Sequence, residues 1–128
     1  MSYFPESVDV PPLDPVIKQQ WLKALRSGEY KQGQRVLRQK TVEGELKYCC
    51  LGVLCELHRK ATGAREWDLS IGGYGYSYYG CDKYSPWEVR AWAGDVLRGK
   101  PSFEGVLAEA NDKGFDFPTI ANWIEANL

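Results

Sequence analysis

YCCLGVLCELH, residues Tyr48–His58, is the most apolar run in the chain and holds three of its four cysteines and its one histidine. Its period changes part-way. Leu46, Tyr48 and Cys50 alternate, as residues on one face of a strand do. Beyond Cys50 the spacing is helical. Leu51, Leu54, Cys55 and His58 share one face, and Cys50, Val53 and Leu57 share the next. An apolar arc this wide does not suit a surface helix, so a helix over Cys50–Lys60 is expected at the centre of the fold. Gly52 inside it costs about 1 kcal/mol relative to Ala, which points to close approach of a neighbouring element. Glu56, Arg59 and Lys60 mark its wet side, and Gly63 its stop.

Upstream, Gln34–Lys40 and Glu45–Cys50 read as the two arms of a hairpin with Gly44 in the turn. Before them, Asp14-Pro15 is a helix start, with Asp as N-cap and Pro at the first helical position. Ile17, Trp21 and Leu25 then form one stripe of a helix over about 15–27, closed by Gly28. Residues 1–13 contain Pro5, Pro11 and Pro12 without periodicity and read as an extended N-terminal arm.

Downstream, Trp67 and Leu69 suggest a short strand. Ile71–Cys81, IGGYGYSYYGC, combines permissive glycines with large amphipathic tyrosines. Ser85-Pro86-Trp87-Glu88 has the form of a capping box, with Tyr84 and Val89 as its hydrophobic staple. It opens a short helix that ends at Gly94 and turns Val89, Trp92 and Ala93 inward. Ser102 is the expected cap of a further helix bearing Phe103, Val106, Leu107 and Ala110. That helix stops in Asn111-Asp112-Lys113-Gly114. Asp116 caps a last helix with an Ile120, Trp123, Ile124 and Leu128 stripe, so the C-terminus is expected to dock. The pieces assemble into one α+β domain over residues 14–128. It has a central buried helix, a small antiparallel sheet at about 34–50 and about four surrounding short helices.

A chain of 128 residues is of single-domain size and can hold a core without a disulfide or metal. Net charge is −1 and the pI about 5.9, which leaves no electrostatic footprint for duplex nucleic acid. A local basic patch remains, because Arg35, Arg38, Lys40 and Lys47 fall close together. No signal segment opens the chain, and no run of about 18 apolar residues could span a membrane. The cytoplasm is therefore the expected compartment, with Cys49, Cys50, Cys55 and Cys81 as free thiols.

Three constellations could carry chemistry. Cys55 and His58, at i and i+3, could share a metal with Cys49 and Cys81, as a tetrahedral zinc site requires. The usual paired C-x2-C knuckle is absent, and cysteine packs readily as a small hydrophobe, so core packing is the expected role. A thiol near a helix N-terminus can be activated, and Cys49 and Cys50 sit near one. His58, however, lies two turns beyond Cys50, about 12 Å by helical rise, too far for direct proton transfer. The third constellation is Tyr74, Tyr76, Tyr78 and Tyr79. Tyrosine faces can stack on bases, and Arg35, Arg38 and Arg90 could meet phosphates. The plainer reading is that these rings cover the core. Neither GxxxxGK[ST] nor GxGxxG occurs, and no cofactor is expected. Asp14, Glu88 and Asp116 have helix-capping roles that account for them.

Four blocks carry a family likeness: WLKALRSGEYKQG (Trp21–Gly33), YCCLGVLCEL (Tyr48–Leu57), SPWEVRAWAG (Ser85–Gly94) and LAEANDKGFDFPTIANWIE (Leu107–Glu125). They resemble a set of small uncharacterised phage and prophage proteins that carry similar blocks in the same order around a variable middle. The resemblance implies a genomic setting and no catalytic residues. It makes the expected protein a non-catalytic accessory in the host cytoplasm, counteracting host defence by binding a nucleotide-like signal or a host protein. Two alternatives stand beside it. One is an oligomeric interaction module using the tyrosine stretch as its interface. The other is a metal- or thiol-dependent enzyme using the cysteines.

Overall fold

In a computed structural model, residues 13–70, 75–94 and 103–128 are described. The helices, in chain order, are α1 (Pro15–Arg26), α2 (Cys50–Thr62), α3 (Trp87–Ala93), α4 (Phe103–Asp112) and α5 (Phe117–Asn127). The strands are β1 (Arg38–Lys40), β2 (Leu46–Tyr48), β3 (Asp68–Leu69) and β4 (Tyr76–Ser77). The fold is a single α+β domain, with two small antiparallel sheets among the described residues.

The central helix forms where the period changes. Cys49 is its N-cap, and the Sγ accepts a hydrogen bond from Gly52 N at 3.4 Å. Cys50 is the first helical residue, not the last residue of the strand. Leu51, Val53, Leu54 and Cys55 are fully buried, as the wide apolar arc requires. Gly63 ends the helix at φ 62°. Gly52 has the reason expected of it: a Cβ there would stand 1.7 Å from the Leu37 carbonyl oxygen. Leu37 itself crosses the helix with its N–H donating to Asp82 O and its carbonyl accepting from Cys49 N. Glu56 departs from expectation. It is buried against Arg59 and Trp67 rather than wet.

α2 packs on α1, α3, α4 and β2, while α5 lies against α1 and α4. Asp14 caps α1 through Val16 N and Ile17 N, and Trp21 Nε1 donates to Cys50 O at 3.0 Å. Asp116 caps α5 through Thr119 N, and Ile120, Trp123, Ile124 and Leu128 are all buried. Leu13 is buried, and its N–H donates to Leu128 O. Residues 1–12 and the expected Ser102 cap lie outside the described residues.

Two local expectations are corrected. The first hairpin is shorter than its pattern: β1 pairs with β2 through Arg38↔Tyr48, Gln39↔Lys47 and Lys40↔Leu46. Residues 34–37 leave the ladder because Arg35 takes φ 75° and Leu37 turns into the core. The second correction is the capping box at Ser85. Pro86 occupies the cap position and has no side-chain cap bond. The Ser85 N–H and hydroxyl both go to Glu104 Oε1 instead, since a buried carboxylate from α4 outcompetes a local exposed one. Tyr84 is exposed, while Val89 is buried.

Candidate functional site

The tyrosine stretch is the return arm of a second hairpin, with Asp68↔Ser77 and Leu69↔Tyr76 in register. A bridge from Gly75 to Gln39 ties it to the first sheet. Of its described rings, Tyr78 lies in the core and Tyr76 and Tyr79 are half-buried. Tyr78 is fully buried, and its hydroxyl lies 2.7 Å from His58 Nδ1. The His58 ring sits among Tyr78, Tyr79 and Trp92, at centroid distances of 5.7, 6.0 and 5.2 Å. Burial pushes the imidazole below its ordinary range, so it stays neutral, and pushes the Tyr78 phenol upward. Tyr78 thus has no face on which a base could stack.

Arg38 and Tyr76 meet each other. The guanidinium lies 4.3 Å from the Tyr76 centroid, 5.3 Å from Trp67 and 5.8 Å from Tyr48. This is a cation held in an aromatic box, with Arg38 Nε buried and without a hydrogen-bond partner. Arg65 lies over Tyr79 at 5.4 Å. Tyr74 falls outside the described residues. The rings read as a ligand surface are largely engaged with the protein's own cations and histidine.

The cysteines do not converge. Cys49, Cys50 and Cys55 are buried and Cys81 is half-buried. Burial raises the Cys49 thiol to about 11, holds Cys50 and Cys55 well above the ordinary thiol range, and raises Cys81. Their thiolates are therefore scarce at neutral pH. Cys49 Sγ faces Gly52 N, and His58 Nδ1 is taken by Tyr78. Among the described residues no three His, Cys, Asp or Glu side chains are placed to hold a metal. Burial pushes the Glu56 carboxyl up, but hydrogen bonds from Arg59 and Trp67 outweigh it and hold the group below its ordinary range.

The site with groups left over is a cleft of about 650 Å³ beside the first hairpin. It is lined by Gln32, Gly33, Arg35, Gln39, Lys47 and Gly114, among others. Its rear wall hangs on Asn111, which is fully buried. Asn111 Oδ1 accepts from Cys50 N at 3.2 Å and Gln32 Nε2 at 3.0 Å, and its Nδ2 donates to Gly33 O at 2.7 Å. Gln32 also donates to Phe115 O and accepts from Phe117 N. Asp112 Oδ1 accepts the Arg35 N–H at 2.8 Å and fixes the left-handed turn there. One strained, exposed arginine is thus held on a rigid frame. Gln39 and Lys47 are cross-strand partners, so their side chains share the hairpin face opposite Arg38 and Tyr48.

The sequence placed Arg35 and Lys47 in one basic patch, and both line this cleft. Arg38 turns to the other face of the hairpin. Arg90 lines a separate cleft of about 730 Å³ and lies 3.7 Å from Glu104. Gln32, Gln39 and Asn111 were not singled out. The strict alternation of Arg38, Gln39 and Lys40 against Leu46, Lys47 and Tyr48 is the signal that separates the two faces.

The chain belongs to the family described as Domain of unknown function (DUF8296), whose model matches residues 13–128. No curated protein and no solved structure matches it.

Proposed function

We propose that this member of the family is a phage-type, non-catalytic accessory protein. It acts in the cytoplasm of an infected host cell by binding a nucleotide-like signal and so counteracts host defence. The phage setting is supported by the four-block resemblance alone. The binding role is supported by one structural contrast. The groups suited to covalent or proton-transfer chemistry are committed to the core: protonated Cys49, Cys50 and Cys55, neutral His58, and Glu56 clamped by Arg59. The open cleft instead presents Arg35, Gln39 and Lys47, groups that bind but do not readily turn over a ligand.

The test is calorimetric titration with cyclic oligonucleotides and ADP-ribose derivatives, followed by mass spectrometry of the recovered ligand. Saturable heat with an unchanged ligand is expected. Absence of heat with every compound, or recovery of a converted product, would overturn the proposal. Capture of a host protein without any nucleotide heat would replace it with a protein-binding role.

A further inference from the structure

We propose that Arg35, Gln39 and Lys47 form a binding site for a phosphate group of a small ligand. The proposal rests on the nucleotide-binding reading above and deepens it.

Three observations converge on these side chains. First, several cations are paired with carboxylates: Arg26 with Glu125, Lys31 with Glu45, Arg59 with Glu56 and Lys113 with Glu109, whereas among the described residues Lys23, Lys40 and Lys83 are not. Among the described residues the Arg35 guanidinium and the Lys47 ammonium have no such partner, and the Gln39 amide has no hydrogen bond. Two unpaired cations and a free amide lining one cleft are complementary to a multiply charged oxyanion.

Second, Gly33 lets both side chains lie close over the backbone at the cleft. A Cβ on Gly33 would stand 2.9 Å from both Gln39 Oε1 and Lys47 Cβ, so only glycine leaves those side chains where they are. Third, the backbone that carries Arg35 is preorganised. Its positive φ is rare for a residue with a Cβ, and Asp112 and the Asn111 network hold it. The frame is already ordered, so ligand binding need not order it. Guanidinium and ammonium would each neutralise one phosphate oxygen, and the Gln39 amide would donate to a third.

The test is titration of the full chain with inorganic pyrophosphate, AMP and adenosine at low salt. Arg35→Gln and Lys47→Gln remove charge while keeping a side chain of similar reach. Lys23→Gln, on α1, controls for net charge, and circular dichroism checks that all three fold. Pyrophosphate and AMP should bind, adenosine should bind at least tenfold more weakly than AMP, and each cleft variant should weaken pyrophosphate about tenfold. Lys23→Gln should bind as the native chain does. Equal binding by the cleft variants, or equal weakening by Lys23→Gln, would overturn the site. AMP bound alike by the native chain and both cleft variants would overturn the site and leave the nucleotide reading standing. Pyrophosphate bound in the cleft without any nucleotide binding would uphold the site and overturn that reading.

Discussion

Gly52→Ala should destabilise the protein strongly, against the helix propensity of the two residues. In an open helix interior the change gains about 1 kcal/mol. Here the new Cβ would fall 1.7 Å from Leu37 O and 2.6 Å from Leu37 C. An ordinary carbon–oxygen contact is about 3.3 Å, so the Leu37 segment and α2 must separate by about 1.5 Å. That movement loosens the Cys49 N–H bond to Leu37 O and the Leu37 N–H bond to Asp82 O. Together these cost about 1–2 kcal/mol. Overpacking a tight core adds about 1–3 kcal/mol. After the propensity gain, a net loss of about 1–4 kcal/mol remains, whose midpoint is equivalent to about 10 °C in Tm for a domain of this size. Gly105→Ala in α4 is the matched control. Nothing lies within 4 Å of its Cβ, so it should be neutral or gain up to about 1 kcal/mol. Urea unfolding of both variants measures the contrast. A neutral or stabilising Gly52→Ala would refute the close approach of Leu37 to α2.

Further outcomes follow from the buried polar groups. Asn111→Ala leaves Cys50 N–H and Gly33 C=O without their partner and should cost about 2–4 kcal/mol in urea unfolding. It should also release backbone amide protection at Gly33 and Arg35 in hydrogen exchange. His58 has its folded pKa depressed by burial, with Glu88 opposing, while Tyr78, Tyr79 and Trp92 pack its ring. Its contribution to stability is full above the unfolded value of about 6.5 and declines as the pH falls from there toward the folded value. Comparing native and His58→Gln unfolding between pH 5 and 7.5 should show that decline in the native chain only. In a native-state thiol titration at pH 8, Cys81 should react first. Cys49, Cys50 and Cys55 should react only after denaturant is added, because burial removes both access and thiolate. Rapid reaction of two or more thiols in the native state would contradict their core placement.

Local signals carried most of the architecture. Asp14-Pro15 and Asp116-Phe117-Pro118 announce their helices because an N-cap is a short-range interaction. The breadth of the apolar arc over Cys50–His58 is enough to place α2 inside. Gly52 was legible too, since a glycine in a buried helix asks for a neighbour, although Leu37 could not be named. What failed was decided over long range. Ser85 has the sequence pattern of a capping box, yet Glu104, nineteen residues on, takes its hydrogen bonds. Glu56 looks like a solvent-side residue until Trp67 and Arg59 close over it. The tyrosine stretch carries the composition of a binding loop, but composition does not show which side of a hairpin faces the core. Tyr78 and Tyr76 found His58 and Arg38 as internal partners. The candidate site was half legible. Arg35 and Lys47 cluster in sequence, whereas Gln39 joins them only through cross-strand register, and Asn111 supports them from α4.

The direct test of the cleft proposed as a ligand site is amide and side-chain NMR shift mapping of the full chain as AMP is added. Saturable shifts should concentrate at Gly33, Arg35, Gln39, Lys47 and Gly114, with Tyr78, Cys55 and His58 unmoved. Shifts confined to the tyrosine stretch or to the Arg90 cleft, or no shifts at all, would contradict a ligand site beside the first hairpin.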